Sequence, residues 1–376
     1  MNSTPNQEQQ AGAKPLIRSS PELYDWLEAQ HCSLAITTYK NSRLFLVGRN
    51  EQQQRIAVFE RLFAHAMGIW TEPNRLILAS QFQIFNFENI VAEGEKYKDH
   101  DKLYVPNKSF TTGLCDAHDL VKEADGRIVF VNTLFSCLCT LSQHYSFKPV
   151  WIPPFISELK PEDRCHMNGL ALRDGEIRYI SAVSQSNTPH GWRKCREQGG
   201  ILMDVKTNML LAEGLSMPHS PRFHQGKLWL LQSGTGELGF LENGKFQPVA
   251  FLPGYLRGLA FVGEYAVVGL SKCRQERSFQ GLSLDESLKQ KNDSAKCGIQ
   301  IINIITGNLE AWLEIDSLVE ELYDVQIIPG VKRPQLLGFR NDEIQRIISI
   351  ESIHTSERES VLVLPPQVKK QRKTAP

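Results

Sequence analysis

Met67-Gly68-Ile69, His118-Asp119-Leu120, Asn168-Gly169-Leu170, Ser220-Pro221-Arg222, Arg257-Gly258-Leu259 and Tyr323-Asp324-Val325 are six versions of one phrase. Each opens an apolar run, which a turn and a second apolar run follow, as in Leu76-Ile77-Leu78 and Ile128-Val129-Phe130. With Gly68, Asp119, Gly169, Pro221, Gly258 and Asp324 as a common register, the steps are 51, 50, 52, 37 and 66 residues. Repeats of about 40–50 residues with four short strands each are how propeller blades look in sequence. The expected fold class is all-β, a β-propeller.

Working outward, residues 21–31 read as a short leading helix, with Ser20 as N-cap and Pro21 in the first turn. The strands begin near Ser33, and 33–39 and 43–47 form a hairpin around Lys40-Asn41-Ser42. That segment counts as a further unit, and the apolar runs 347–350 and 361–364 look able to complete a blade of their own. Seven blades are therefore expected rather than six. The domain plan is a disordered segment 1–20, a propeller over 21–365 and a basic disordered tail 366–376. Two insertions, 185–200 and 272–298, follow the second strand of a blade and should crowd the mouth where the innermost strands begin.

Composition narrows the class. At 376 residues the chain is too long for one growing core, and a ring of blades divides the apolar area among several interfaces. It is 41% hydrophobic with 42 basic and 42 acidic residues, which leaves no bulk electrostatic case for nucleic acid. No apolar run reaches the roughly 18 residues of a membrane span, and the first residues lack the apolar core of a secretory signal. A bacterial, cytoplasmic protein with no membrane partner is the expectation. The eight cysteines form no C-x-x-C pair and read as reduced thiols; Cys137 and Cys139 share one strand face, where packing explains them better than metal.

Chemistry-bearing residues gather where inner strands begin. His65, His118, His166 and His219 stand there, with Asp119, Asn168, Ser220, Arg222, Arg257 and Asp324 at equivalent places. Three readings stay open for the histidines: backbone-satisfying structural groups, a divalent metal site built from His118, His166 and His219, or general acid/base groups. Asp119 and Asp324 would orient imidazoles or arginines. Arg164, Arg222 and Arg257, with Lys272 opening the second insertion, suit a carboxylate or phosphate, so an anionic small molecule or acidic peptide end is the expected ligand. The same cations could instead pair with Asp119, Glu162, Asp163, Glu237 or Asp324. Trp192 is either an anchor for its loop or a stacking platform for a ligand.

Gly234-Thr235-Gly236-Glu237-Leu238-Gly239 matches the dinucleotide fingerprint but runs from strand to strand. The fingerprint needs a helix N-terminus to hold pyrophosphate, so no nucleotide cofactor is expected. The function that follows is a propeller enzyme of hydrolase, lyase or isomerase type using His and Arg in its central funnel. A non-catalytic binding or scaffold module, with a protein partner, is the alternative.

Longer strings carry a resemblance. Phe135-Ser136-Cys137-Leu138, the run from Pro161 to Leu170, Gly191-Trp192, the run from Gly214 to Arg222, Leu252-Pro253-Gly254 and Gly269-Leu270-Ser271-Lys272 resemble a bacterial family known as domain of unknown function 4915. The resemblance implies a propeller-like protein without an assigned activity. A more distant likeness to six-bladed gluconolactonase-type lactonases implies a divalent ion on Glu and Asn ligands. Asn132 and Asn168 fit such a set, but no Glu opens an inner strand.

Overall fold

The computed structural model describes residues 15–272, 281–316, 319–340, 342–351 and 358–363. Six antiparallel sheets of four strands, two of them extended by a fifth, stand around a common axis. Their innermost strands are Ile69–Glu72, Ala117–Lys122, Met167–Arg173, Pro218–His224, Tyr255–Val262 and Val325–Pro329, here blades 1 to 6. Each innermost strand touches the next, and blade 6 returns to blade 1. The six register residues stand directly before these strands or within their first four positions, so the repeated phrase marks all six inner strands and no others among the described residues.

The count of seven is corrected to six. Val325–Pro329 pairs with Cys32–Thr38, with Ile36 opposite Val325, and Arg43–Asn50 and Arg55–Leu62 complete that sheet. The N-terminal hairpin and Arg55–Leu62 together are thus three-quarters of a blade whose inner strand lies near the other end of the chain. Joining the ends this way leaves no open sheet face between the first and last blades. The runs assigned to a further C-terminal blade instead make a two-stranded hairpin, Ile347–Glu351 with Arg358–Val363. Pro334–Leu336 adds a parallel strand to the outer edge of blade 1.

Part of the segment assigned as disordered is ordered: Leu16–Ser19 pairs with Leu309–Asp316 at the outer edge of blade 5. Helix α1 spans Glu22–Ala29 with Pro21 at its N-cap. The Ser20 hydroxyl accepts the Trp312 N–H instead of capping the helix. Leu23, Trp26 and Leu27, three and four residues apart, form one buried face against Leu34, Ile36, Ile299 and Leu313. The basic tail lies outside the described residues, as does Cys273. The other seven cysteines are free thiols, and Cys137 and Cys139 share a face with their sulfurs 3.4 Å apart.

Hydroxyls tie successive blades together at the mouth. Thr37 Oγ1 donates to Met67 O, Thr133 Oγ1 to Met167 O, Ser233 Oγ to Leu256 O and Ser271 Oγ to Leu322 O. Each bond joins the end of one blade's second strand to the start of the next blade's first. Residues 233–236 form the turn between Lys227–Gln232 and Glu237–Glu242, so the glycine-rich run is a hairpin.

Candidate functional site at the channel mouth

The register alternates in character around the ring. Blades 1, 3 and 5 carry Gly68, Gly169 and Gly258, blades 2 and 6 carry Asp119 and Asp324, and blade 4 carries Pro221 with Arg222 directly after it. The glycines are needed for close approach: a Cβ on Gly68 would stand 2.9 Å from Asp119 Cα, on Gly169 2.4 Å from Pro221 Cδ, and on Gly258 2.5 Å from Val325 N. The charged residues reach across the axis. Arg222 Nη1 donates to Asp119 Oδ2 at 2.8 Å, and Nη2 faces Asp324 Oδ1 at 3.8 Å. Arg222 also donates to the carbonyls of Leu170, Pro221 and Leu259.

Both carboxylates are buried and accept backbone N–H groups, Asp119 from Leu120 and Leu170 and Asp324 from Ile69 and Val325. Burial, and next the Asp119 charge, raise the Asp324 carboxyl above the ordinary carboxylate range. Asp119 and Asp324 therefore orient an arginine, as the sequence allowed, and that arginine is not turned to a ligand. The three residues form a plug where blades 2, 4 and 6 face one another. Ser220, expected to bind ligand, accepts the Gly258 N–H.

Above this plug the histidines separate into two kinds. His219 is 3% exposed, with Nδ1 2.8 Å from Met217 O and Nε2 3.3 Å from Asn168 Nδ2. A carbonyl on one side and an amide donor on the other assign the neutral Nδ1–H tautomer and a structural role. Asn168 also accepts from Ser181, so it too is occupied.

His118 and His166 are different. His166 Nδ1 lies 3.0 Å from Asp163 Oδ1, and its ring stacks on Trp192 at 4.1 Å. Trp192 in turn donates from Nε1 to Asp163 Oδ2 at 2.7 Å. His118 Nδ1 lies 2.9 Å from the Asp116 carbonyl, which requires a proton on that nitrogen. No other hydrogen bond is made by either ring among the described residues, so both Nε2 atoms are unoccupied by protein. The two rings meet edge to face at 5.0 Å, and His118 meets Tyr323 at 5.2 Å. Burial, then the His166 and Arg257 charges, hold His118 well below the usual imidazole range. Its folded form is the neutral base.

The cations are placed unevenly. Arg164 is held by Glu162, Glu158 and Asn187 and fastens the 158–164 loop to the first insertion. Lys272 lies 3.5 Å from Asp316. Arg257 is buried, pairs with Glu321 at 3.2 Å and covers the Tyr323 ring at 5.0 Å. Of the expected anion-binding residues, Arg257 alone shares surroundings with the unoccupied imidazoles. Both insertions do reach the mouth: Trp192 of the first and Leu284 and Leu288 of helix α2 (Ser283–Gln290) pack with Met217 and Tyr255. Trp192 is an anchor that also braces His166.

Of the three histidines proposed for metal, His219 has both ring nitrogens engaged, by Met217 O and Asn168. Among the described residues no group of three or more His, Cys, Asp or Glu side chains could hold a metal ion. The lactonase-type donors do not fit either: Asn132 accepts the Phe135 N–H and faces Cys139, and Asn168 is bonded on both sides. Asp163, Asp116 and Tyr323 were not among the expected site residues. Asp163 stands three residues before His166 and Tyr323 directly before the register residue Asp324, signals that only a fold makes legible. His65, also near an inner-strand start, packs against Tyr39 with ring centroids 4.5 Å apart and the planes tilted by 44°.

No match to a curated protein is found. Among solved structures, the ring is similar to a chain of a nidogen/laminin complex, with a TM-score of 0.50, 9% identity, 80% of this chain covered and 99% of that one. At such identity the likeness is one of fold alone. A gluconolactonase from Xanthomonas campestris is similar at a TM-score of 0.42 and 10% identity, covering 77% of this chain and 86% of that chain. A catalytically inactive virginiamycin B lyase from Staphylococcus aureus is similar at 0.35 and 12%, covering 62% and 76%. Neither value supports an argument about chemistry here. No helix among the described residues is long and apolar enough to cross a membrane. Over residues 21–337 the chain matches the family described as Domain of unknown function (DUF4915), and it belongs to that family.

Proposed function

We propose that the channel mouth is a small-molecule site for proton-transfer chemistry of the hydrolase, lyase or isomerase kind. The observation that carries this reading is the pair of imidazoles 5.0 Å apart, each with Nδ1 occupied and Nε2 unoccupied among the described residues. His166, its tautomer and orientation fixed by Asp163, is the general base, taking a proton at Nε2 and returning it to the leaving atom. His118 carries its proton on Nδ1, so its Nε2 accepts a hydrogen bond from a substrate hydroxyl or water and cannot donate one. Arg257 stands beside them to stabilise negative charge on a carbonyl, carboxylate or phosphate of the ligand. None of these steps draws on a redox cofactor.

The test combines reactivity and turnover. Diethyl pyrocarbonate modifies neutral imidazoles, so peptide mapping should find His118 and His166 carbethoxylated and His219 protected. In a screen of lactones, esters and sugar acids, His166→Asn and Asp163→Asn should each lower kcat/KM of a found substrate by about 10²–10⁴-fold. Turnover that survives His166→Asn, or modification of His219 ahead of the other two, overturns the assignment.

A further inference from the structure

On the far side of the Asp119–Arg222–Asp324 plug the channel opens again into a cavity of about 400 Å³, lined by all six inner strands. We propose that this cavity is a second, separate binding site for an uncharged, largely apolar small molecule bearing one hydrogen-bonding group. The volume lies within the roughly 300–1,000 Å³ of small-molecule sites. Trp70, Leu120, Leu172, Phe223, Leu259 and Ile327 give it apolar walls.

The polar groups in its lining decide the ligand class. Arg222 forms the inner end, and its guanidinium already serves Asp119 and three backbone carbonyls. Thr71 donates to Ile327 O, and His224 Nε2 is paired with Gly263 O while its ring stacks on Phe261 at 4.4 Å. An anion would find no unoccupied cation at this inner end, and a cation would meet a plug whose carboxylates already face a guanidinium. A charge buried there without a partner is strongly disfavoured. Gln326 remains: it lines the cavity, is half-buried and makes no side-chain hydrogen bond among the described residues. Its amide both donates and accepts, so one carbonyl, hydroxyl or amine on an otherwise apolar molecule completes it. The ligand enters from the end of the ring opposite the histidines, because the plug blocks the direct path between them.

The probe is N-phenyl-1-naphthylamine, uncharged and apolar with one N–H, followed by its fluorescence and by energy transfer from tryptophan. Saturable binding at one site per chain is expected, at least about tenfold tighter than for the sulfonated analogue 8-anilino-1-naphthalenesulfonate. Gln326→Leu, at a partly exposed position, should weaken the probe by about threefold to tenfold, in keeping with one lost hydrogen bond. Ala260→Phe, which adds bulk to the lining, should abolish binding in protein shown to be folded by its thermal transition. Bound probe should leave carbethoxylation of His118 and His166 unchanged. No saturable uptake, equal affinity for the sulfonate, or full affinity in both variants overturns the proposal, and protection of the imidazoles moves the binding to the mouth.

Discussion

Replacing Arg222 with Met keeps an aliphatic stem and removes the one cation between Asp119 and Asp324. Both carboxylates are only 3% exposed, so the charge is lost where water cannot replace it. Removing one partner of a buried ion pair costs about 3–5 kcal/mol, and a buried carbonyl left without its donor adds about 1–3 kcal/mol. Two features limit the loss: each carboxylate keeps two backbone N–H donors, and the raised Asp324 carboxyl can take up a proton. The expected cost near pH 8 is therefore about 3–5 kcal/mol, on the order of 10 °C in Tm.

Its pH dependence is the sharper signature. In the parent, Asp324 is raised above the ordinary carboxylate range, so between that range and neutrality the folded chain holds more protons than the unfolded one. Stability from this group is greatest in acid and falls as pH rises through the raised value. Without the Arg222 charge, which holds it down, the Asp324 carboxyl rises further, and the deficit relative to the parent grows with pH. Urea unfolding of parent and variant, read by tryptophan fluorescence from mildly acid to mildly alkaline buffer, measures this directly. A loss under about 1 kcal/mol, a deficit independent of pH, or simple additivity with Asp119→Asn refutes the plug as described.

Gly258→Ala should cost about 2–4 kcal/mol, since its φ is +79° and the added Cβ meets the Val325 nitrogen at 2.5 Å; Gly126→Ala, also at positive φ but with nothing within 4 Å, should cost about 1 kcal/mol. Matched thermal melts compare them, and equal losses would remove the close-packing argument. Thr37→Val strips the acceptor from the Asp324 N–H and the donor from Met67 O at the blade closure, and should lower stability by about 2–4 kcal/mol in urea. NMR titration should find His118 neutral down to well below the usual imidazole midpoint; because that group is depressed by folding, its contribution to stability is lost as pH falls, and an ordinary midpoint would contradict its burial.

The repeated phrase alone determined the fold class and located every inner strand, because inner strands share one environment and so carry one pattern of turn and apolar run. Which blade the N-terminal strands complete was not legible. The inner strand of the closing blade is separated from its three partners by almost the whole chain, and no local pattern shows which hydrogen bonds join the ends. The same holds for the site. His118, His166 and Arg257 could be placed near one mouth from register, yet register gives no side-chain partner, so Arg222, Arg164 and His219 read alike with them. The tertiary structure decided that Arg222 faces two carboxylates across the axis, that Glu158 and Glu162 hold Arg164, and that Asn168 and Met217 O enclose His219. Among the described residues, His118 and His166 keep an Nε2 that no protein group occupies. Those assignments depend on distances of about 3 Å, some between near neighbours such as Arg164 and Glu162 and others between residues 51 or 103 positions apart, and only the packed ring fixes which donor meets which acceptor.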